Sequence, residues 1–217
     1  MSVVSQIVLT LNVPSTQTGF HIAFWVLLAL VLVMRAYFAV RVRRAGERVM
    51  PDRAAVEREG RGMFAFRVIA FLLLLAILVL YGIQHPWMRA LDFRLPAWLR
   101  WAGFALGLAG LGLWTWTQAA LDTMWSAQLQ LRDQHRLVTT GPYARVRHPL
   151  YTAMCIWAAG LALVTANWIF VALAVLMLAV FFTRVPREEQ MMIEQFGDEY
   201  REYMKGTGTF FPKWRMP

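Results

Sequence analysis

Residues 150–183 read LYTAMCIWAAGLALVTANWIFVALAVLMLAVFFT and contain no charged side chain. The stretch divides into two apolar runs, 150–166 and 168–183, which meet at Ala166-Asn167. Each run is somewhat shorter than the roughly 20 residues that cross the core of a bilayer. The pattern favours a tight helical hairpin, tilted or packed inside a helix bundle, and leaves open one long helix kinked at Asn167.

Three further apolar runs precede this stretch, at about residues 20–40, 66–84 and 98–121. Each reaches or approaches the length of a membrane-spanning helix. The chain of 217 residues is 59% hydrophobic and has a mean hydropathy of +0.46, which is too apolar for an ordinary soluble domain. We therefore predict an all-α integral membrane protein that forms a single membrane domain over residues 1–217, with about five transmembrane helices.

Positive charge lies on alternate connectors of this predicted bundle. Segment 41–67 carries eight arginines, segment 122–149 carries four, and the chain from residue 184 onward carries six lysines or arginines, whereas no positive residue precedes residue 20. The positive-inside rule then places the N-terminus outside, and the basic loops and the C-terminus in the cytoplasm. Only two lysines accompany 20 arginines. This bias is typical of high-GC bacterial genomes and indicates a bacterial inner membrane.

Charge and cysteine content exclude two classes of partner. A basic face beside anionic lipid headgroups explains the net charge of +9, so we expect no nucleic acid. Cys155 is the only cysteine, which rules out an internal disulfide and a cysteine metal cluster. We expect no metal.

The third apolar run contains small residues at helical spacing, which allow two helices to approach closely. They are Gly103, Gly107, Gly110 and Gly112. Trp114, Trp116 and Trp125 follow them, and we expect all three to lie in the aromatic belt at the membrane surface.

A polar segment, HRLVTTGPYARVRHPLY (135–151), lies between two apolar runs. Ionisable groups beside hydrocarbon are costly and by default mark a site. Gly141-Pro142 predicts a turn, and Pro149 is tolerated in the first turn of the next helix. Arg147 and His148 would then lie at a helix N-terminus, where free N–H groups and the helix dipole favour a carboxylate or phosphate ligand.

A second polar cluster, RVPREE (184–189), ends the last apolar run. Arg184 and Glu188 share a helix face if the helix continues through Pro186. An ordinary ion pair at the membrane boundary would explain these two residues. The second carboxylate, Glu189, and the second arginine, Arg187, favour a binding site, and both interpretations stay open at this point.

Beyond residue 186 the pattern becomes amphipathic. Apolar side chains recur every three or four residues, at Ile193, Phe196, Tyr200 and Tyr203. This spacing predicts a cytoplasmic C-terminal helix over about 187–204 that lies against the membrane face or caps the bundle. A turn at 206–208 then leads to Phe210, Phe211 and Trp214, which we expect to anchor the tail at the interface.

The order of these motifs resembles one known family. A Gly-Pro-Tyr-x-x-x-Arg-His-Pro-x-Tyr segment precedes the hairpin, and Arg-x-x-x-Glu-Glu and Phe-Gly-x-x-Tyr-x-x-Tyr follow it. Over about residues 125–212 the chain is similar to the isoprenylcysteine carboxyl methyltransferase family and the related phospholipid methyltransferases. The resemblance implies S-adenosylmethionine as cofactor, bound on the cytoplasmic side. It also implies N-terminal spans over 1–121 and a cofactor-binding and catalytic portion over 122–217.

The resemblance also implies roles for individual residues. Matching the motif position by position, the cofactor pocket would be lined by Gln128, His135, Arg136, Leu137, Val138, Tyr143, His148, Pro149, Leu150, Tyr151 and Glu188. Arg184 would bind the methyl acceptor and act in catalysis with Glu188. On chemical grounds Glu188 and Glu189 suit the cationic and hydroxyl groups of the cofactor, and His148 or Arg147 suits its carboxylate.

Two departures from the family pattern bear on the acceptor. Ala153 stands where a glycine is common, and the residues at 206–208 replace a Val-Pro-like tail. We expect a hydrophobic or lipid-like acceptor, first the carboxylate of a prenylated thiol compound, with an amine or a thiol as the other options. A carboxylate needs no strong base, whereas an amine or thiol must lose a proton, to His135 or Glu188.

Two other functions are compatible with parts of the pattern. Membrane reductases of the sterol or steroid type resemble these methyltransferases in their C-terminal helices but bind NADPH. Arg136, Arg145 and Arg147 could hold its 2′-phosphate. A transporter or scaffold is disfavoured, because the polar groups crowd one edge of the spans instead of their middle.

Overall fold

α-Helices account for most of the chain. The computed structural model describes residues 3–44, 61–121 and 137–213. The helices are α1 (Val3–Arg44), α2 (Arg61–Gly82), α3 (Pro86–Arg89), α4 (Ala97–Leu121), α5 (Pro149–Thr165), α6 (Trp168–Phe196) and α7 (Asp198–Gly206), and a 3₁₀ turn covers Gly141–Ala144. Within these three ranges the β-structure is limited to two isolated bridges. The prediction of an all-α protein is confirmed.

The outer surface of the bundle is apolar. Two helical stretches, Gln17–Arg44 and Trp168–Phe196, are long and apolar enough to cross a bilayer, and shorter apolar stretches cover Val68–Gly82 and Pro149–Thr165. Large apolar side chains on α2 and α6 point outward, among them Phe71, Leu72, Leu73, Val175, Leu176 and Phe182. So much exposed apolar surface suits lipid and not water. The protein is an integral membrane protein.

α5 and α6 form the hairpin indicated by residues 150–183. α5 ends at Thr165, Ala166 adopts a left-handed conformation with φ 49°, and the Asn167 side chain caps α6 by accepting from the Ile169 N–H at 3.0 Å. Asn167 Nδ2 donates to Met88 O and to Asp92 Oδ1, both at 2.7 Å. The chain therefore reverses at Asn167, and this buried side chain ties the turn to the segment after α3.

α4 and α5 pack closely because glycine faces glycine. A Cβ added at Gly160 of α5 would collide with backbone atoms of Gly103 and Gly107 of α4, and one added at Gly110 would collide with the backbone of α5. A Cβ added at Gly112 would contact no neighbouring atom. The predicted packing role is therefore confirmed for Gly103, Gly107 and Gly110, while Gly112 takes no part in it.

The predicted C-terminal helix at 187–204 has different bounds. Residues 187–196 continue α6, and the helix runs through Pro186 without a break. The break falls at Gly197, whose φ of 57° suits a glycine, and α7 then covers Asp198–Gly206. The polar residues after 184 do not start a new helix, because a helix needs no apolar surface to continue once it leaves the apolar part of the bundle.

The expected belt position is wrong for Trp114, and Trp125 lies outside the described residues. Trp116 is exposed, but Trp114 is buried and packs against Trp157 of α5 with their ring centroids 6.4 Å apart. Trp114 and Trp116 lie on different faces of α4. Their similar positions along the helix could not show that one is buried and the other is exposed.

The glycine contact gives a stability prediction. We expect Gly160→Ala to lower the free energy of unfolding by about 1–3 kcal/mol, because the added methyl must force α4 and α5 apart. Gly112→Ala is the matched control. It should leave the free energy of unfolding unchanged or raise it slightly, because alanine has a higher helix propensity than glycine. The measurement is the midpoint of thermal unfolding of the detergent-purified proteins, monitored by circular dichroism. Equal midpoints for the two variants would contradict this account of the packing.

Candidate functional site

The start of α5 is shaped by Pro149 and by contacts with the C-terminal segment. Pro149 is the first helical residue and His148 is the N-cap. The C-terminal segment 207–210 runs alongside: Arg147 N–H donates to Gly208 O at 2.8 Å and His148 N–H to Thr209 O at 3.0 Å. These two amides, expected to be free for an anionic ligand, are used by the chain itself.

Arg147 has a protein partner on every guanidinium nitrogen. Its side chain is only 7% exposed, and Nε donates to Glu189 Oε1 at 2.7 Å. Nη1 donates to Thr207 O at 2.5 Å, and Nη2 donates to Thr209 Oγ1 at 2.8 Å. A buried guanidinium with such partners joins the start of α5, the end of α6 and the C-terminal segment.

Glu188 lies at the centre of a second set of contacts. Tyr151 Oη donates to Glu188 Oε1 at 2.5 Å, and Arg184 Nη2 lies 3.3 Å from the same oxygen. His148 Nδ1 lies 3.8 Å from Glu188 Oε2. The pair Arg184–Glu188 forms across one helical turn because α6 continues through Pro186, as the sequence required.

His148 faces both carboxylates. Its Nε2 lies 3.3 Å from Glu189 Oε1 but is not aligned for a hydrogen bond, and this buried atom has no hydrogen-bond partner among the described residues. A buried polar atom without such a partner is uncommon and is often explained by a functional role. His148 Nε2 is therefore a buried atom of this cluster with unused hydrogen-bonding capacity.

Aromatic rings form one wall of the cluster. The His148 and Tyr151 rings are nearly parallel, with centroids 5.6 Å apart, and Tyr151 stacks on Phe181 of α6 at 4.1 Å. Phe210 of the C-terminal segment packs against His148 at 6.3 Å. The carboxylates thus lie beside flat apolar faces that can hold an adenine ring or a cation.

Two further tyrosines tie α7 to the 3₁₀ turn. Tyr203 Oη donates to the backbone oxygen of Tyr143 at 2.7 Å. Burial raises the pKa of Tyr203 to about 12 and also raises the pKa of Tyr143. Both hydroxyls therefore stay protonated near neutral pH, and Tyr203 remains a hydrogen-bond donor.

The structure brings most, but not all, of the candidate residues together. Arg147, His148, Tyr151, Arg184, Glu188 and Glu189 form one connected cluster. Pro149 begins α5 and Leu150 packs against the core beside Ala153, while Leu137 and Val138 are half-buried in the segment before the turn. Gln128, His135 and Arg136 lie outside the described residues.

Sequence reasoning missed the part that the C-terminal segment plays. Thr207, Thr209 and Phe210 contact the cluster, although residues 206–208 were expected to form only a turn leading to an interfacial anchor. Their contacts use two backbone carbonyls and one hydroxyl as well as a ring. Backbone contacts of this kind follow no periodicity, so no sequence pattern could have placed them.

Arg147 should hold the C-terminal segment in place. In Arg147→Gln we expect faster amide hydrogen exchange over residues 204–210, because the substitution removes charge-assisted bonds to Thr207 and Thr209 and leaves Glu189 partly buried without its ion pair. Arg145→Gln is the matched control, since Arg145 is exposed on the same segment. Exchange that is equal in both variants would show that the segment is held by its other contacts.

Known sequences match this chain over the segment that carries the cluster. The isoprenylcysteine carboxyl methyltransferase (ICMT) family matches residues 103–194. Nickel-cobalt-cadmium resistance protein NccN of Alcaligenes xylosoxydans xylosoxydans is 31% identical over 117 residues, which cover 54% of this chain and 53% of that protein. Protein-S-isoprenylcysteine O-methyltransferase of Schizosaccharomyces pombe is 40% identical over 79 residues, which cover 36% of this chain and 34% of the enzyme.

The matched parts of these curated relatives thus amount to about half of their length or less. Among solved structures, the eukaryotic intramembrane Ras methyltransferase ICMT superposes with a TM-score of 0.51 and 23% identity, over 68% of this chain and 52% of that chain. At that identity the likeness concerns the fold. The matched residues 103–194 include most of α4, the segment before α5, nearly all of the hairpin and the Glu188-Glu189 pair, and over them this chain matches the isoprenylcysteine carboxyl methyltransferase family.

Proposed function

We propose that this protein is an integral-membrane methyltransferase that uses S-adenosylmethionine to methylate a hydrophobic, lipid-like acceptor. The acceptor group that we favour is the carboxylate of a prenylated thiol compound. One observation carries the proposal: His148, Tyr151, Glu188 and Glu189 meet at the open end of the hairpin, inside the region that matches the family. The names of the methyltransferase relatives support the acceptor class.

The cluster has the chemical groups that this cofactor requires. S-adenosylmethionine carries a carboxylate, an ammonium, a sulfonium and an adenosine. Glu188 and Glu189 suit its cationic and hydroxyl groups, and the unpartnered His148 Nε2 suits a polar group of the ligand. The Tyr151 face suits adenine or the sulfonium. When bound, the cofactor supplies an electrophilic methyl group for in-line displacement.

The proposed binding residues are the set that the motif implies, with Arg147 and Glu189 added on chemical grounds. They are Gln128, His135, Arg136, Leu137, Val138, Tyr143, Arg147, His148, Pro149, Leu150, Tyr151, Glu188 and Glu189. Within this set Arg147 acts by holding Glu189 and the C-terminal segment, because its donors are already engaged.

Arg184 is suited to bind the acceptor. Its side chain is 48% exposed, and its contact with Glu188 is a single 3.3 Å approach. A loosely paired, half-exposed guanidinium can turn to a carboxylate at little cost and bind it through two parallel hydrogen bonds. The acceptor carboxylate is already a nucleophile, so the chain has only to orient it and to exclude water, which the apolar surroundings do.

For the arrangement in the membrane we propose five transmembrane helices in a bacterial inner membrane. The N-terminus would lie outside, and the C-terminus and the active site would lie in the cytoplasm. The support is the charge distribution, since Arg41, Arg43 and Arg44 end α1 at the basic connector. The short C-terminal helix α7 would then lie on the cytoplasmic face.

Ligand titration tests the proposed class. We expect the detergent-purified protein to bind S-adenosylhomocysteine saturably in isothermal titration calorimetry and to give no heat of binding with NADPH, because a single carboxylate-rich cluster suits a cationic cofactor better than a dinucleotide. Binding of NADPH alone would replace the methyltransferase by a reductase. Binding of neither by a folded protein would refute both.

Two substitutions separate the roles within the cluster. Glu188→Ala should abolish binding of S-adenosylhomocysteine, since it removes the partner of Tyr151, Arg184 and His148 together. Glu194→Ala, an exposed carboxylate on the same helix, is its control. Arg184→Ala should bind the cofactor as the unmodified protein does but lose methyl transfer to a prenylcysteine analogue by about 10²-fold or more. Unchanged affinity in Glu188→Ala, or unchanged turnover in Arg184→Ala, would contradict the assignment.

A further inference from the structure

A cavity lies at the end of the bundle opposite to the His148 cluster, by the turn of the hairpin. Its volume is about 320 Å³, at the small end of the range of ligand sites, about 300–1,000 Å³. The start of α4, the ends of α2 and α5, the segment 88–93 and the described part of α1 enclose it. α5 spans 17 residues between this cavity and the His148 cluster, or roughly 25 Å at about 1.5 Å per residue, so the two sites are separate.

A tyrosine and a histidine face this cavity. Tyr81 is 6% exposed and lines the cavity, and its hydroxyl makes no hydrogen bond to any described residue. His21 stacks on the Tyr81 ring at 5.0 Å and also lines the cavity. The Tyr81 hydroxyl is therefore available to donate a hydrogen bond to water or to a ligand in the cavity.

The backbone around the cavity has a positive φ at two residues. Gln84 with φ 54° and Ala166 with φ 49° are the non-glycine residues with positive φ in the described ranges, and both line this cavity. Both residues follow the ends of helices, α2 and α5, where such conformations close the last turn, and they shape the wall of the cavity.

The charges define what the cavity can bind. Arg89 and Arg100 line it together with one carboxylate, Asp92, so its net charge is about +1. Arg100 is buried and mainly structural, because Nε and Nη2 donate to Val164 O at 2.9 and 2.7 Å. Arg89 at the exposed rim is free to contact a ligand directly. A net charge of +1 matches a phosphodiester, which carries one negative charge, better than a phosphomonoester, which carries nearly two.

The depth of the cavity indicates the source of the phosphodiester. Exposed tryptophans mark the headgroup level of a membrane. At this end of the bundle they are Trp87, Trp98, Trp101 and Trp168. We infer that the cavity binds the headgroup phosphate of a phospholipid from the leaflet opposite to the His148 cluster, with Arg89, Tyr81 and His21 as its contacts.

Native mass spectrometry of the full chain in detergent tests this inference. The probes are phosphatidylglycerol, diacylglycerol with the same acyl chains, and glycerophosphoglycerol, the soluble phosphodiester that lacks the acyl chains. We expect one saturable phosphatidylglycerol per chain, with its Kd raised about tenfold in Arg89→Gln and about threefold in Tyr81→Phe, through loss of one charged and one neutral hydrogen bond. Arg94→Gln is the matched control, since Arg94 is exposed on the same connector and does not line the cavity.

Each contrary result would overturn the inference. Equal Kd values in Arg89→Gln, Tyr81→Phe and Arg94→Gln would place the lipid elsewhere on the surface. Equal affinity for diacylglycerol would show that the phosphate is not recognised, and equal affinity for glycerophosphoglycerol would assign the cavity to a soluble phosphodiester. Tyr81→Phe removes only a hydroxyl and conserves the ring packing, so the test stands even if Arg89→Gln is poorly folded.

Discussion

The buried guanidinium of Arg147 is the constraint on which the site depends. A charge removed from water is tolerated only with close partners, and here Glu189 and the chain from 204 to 209 supply them. To satisfy one side chain, the start of α5, the end of α6 and the C-terminal segment must meet. Glu188 precedes Glu189 in the chain and His148 follows Arg147, so the contact between Arg147 and Glu189 also positions Glu188 and His148. The 3.8 Å separation between His148 Nδ1 and Glu188 Oε2 is therefore a consequence of the Arg147 contacts.

The hairpin is fixed by polar contacts at both ends. At its closed end Asn167 holds the turn to Met88 and Asp92, and at its open end Arg147 holds α5 to α6. Between them the contacts are apolar and the glycine contacts draw α4 onto α5. Apolar packing alone permits helices to slide by a turn, whereas hydrogen-bonded groups at both ends select one register. The carboxylates on α6 therefore meet the aromatic rings of α5 in one arrangement.

Sequence predicted the elements better than their ends and contacts. The charge-free run 150–183 placed the hairpin and its turn, because burial of apolar side chains is a local property of the sequence. The helix expected at 187–204 had the wrong bounds, since a single left-handed glycine at 197, and not the change from apolar to polar residues at 184, ends α6. Trp114 was misplaced because its burial depends on Trp157, which is 43 residues away along the chain. The motif indicated which residues belong to the site, but the contribution of Thr207 and Thr209 depends on tertiary contacts that leave no sequence pattern.

The two arginines of the site illustrate how burial separates structural from chemical roles. Arg147 is 7% exposed with a partner on every nitrogen, and Arg184 is 48% exposed with one long contact. Displacing the partners of Arg147 would leave both a buried cation and a buried anion unsatisfied, so no ligand carboxylate can compete for it at reasonable cost. Releasing Arg184 from Glu188 costs less, because Arg184 is half-exposed and makes a single contact of 3.3 Å. Under the proposed function, Arg184 is thus the one of these two guanidiniums that suits a carboxylate arriving from the membrane.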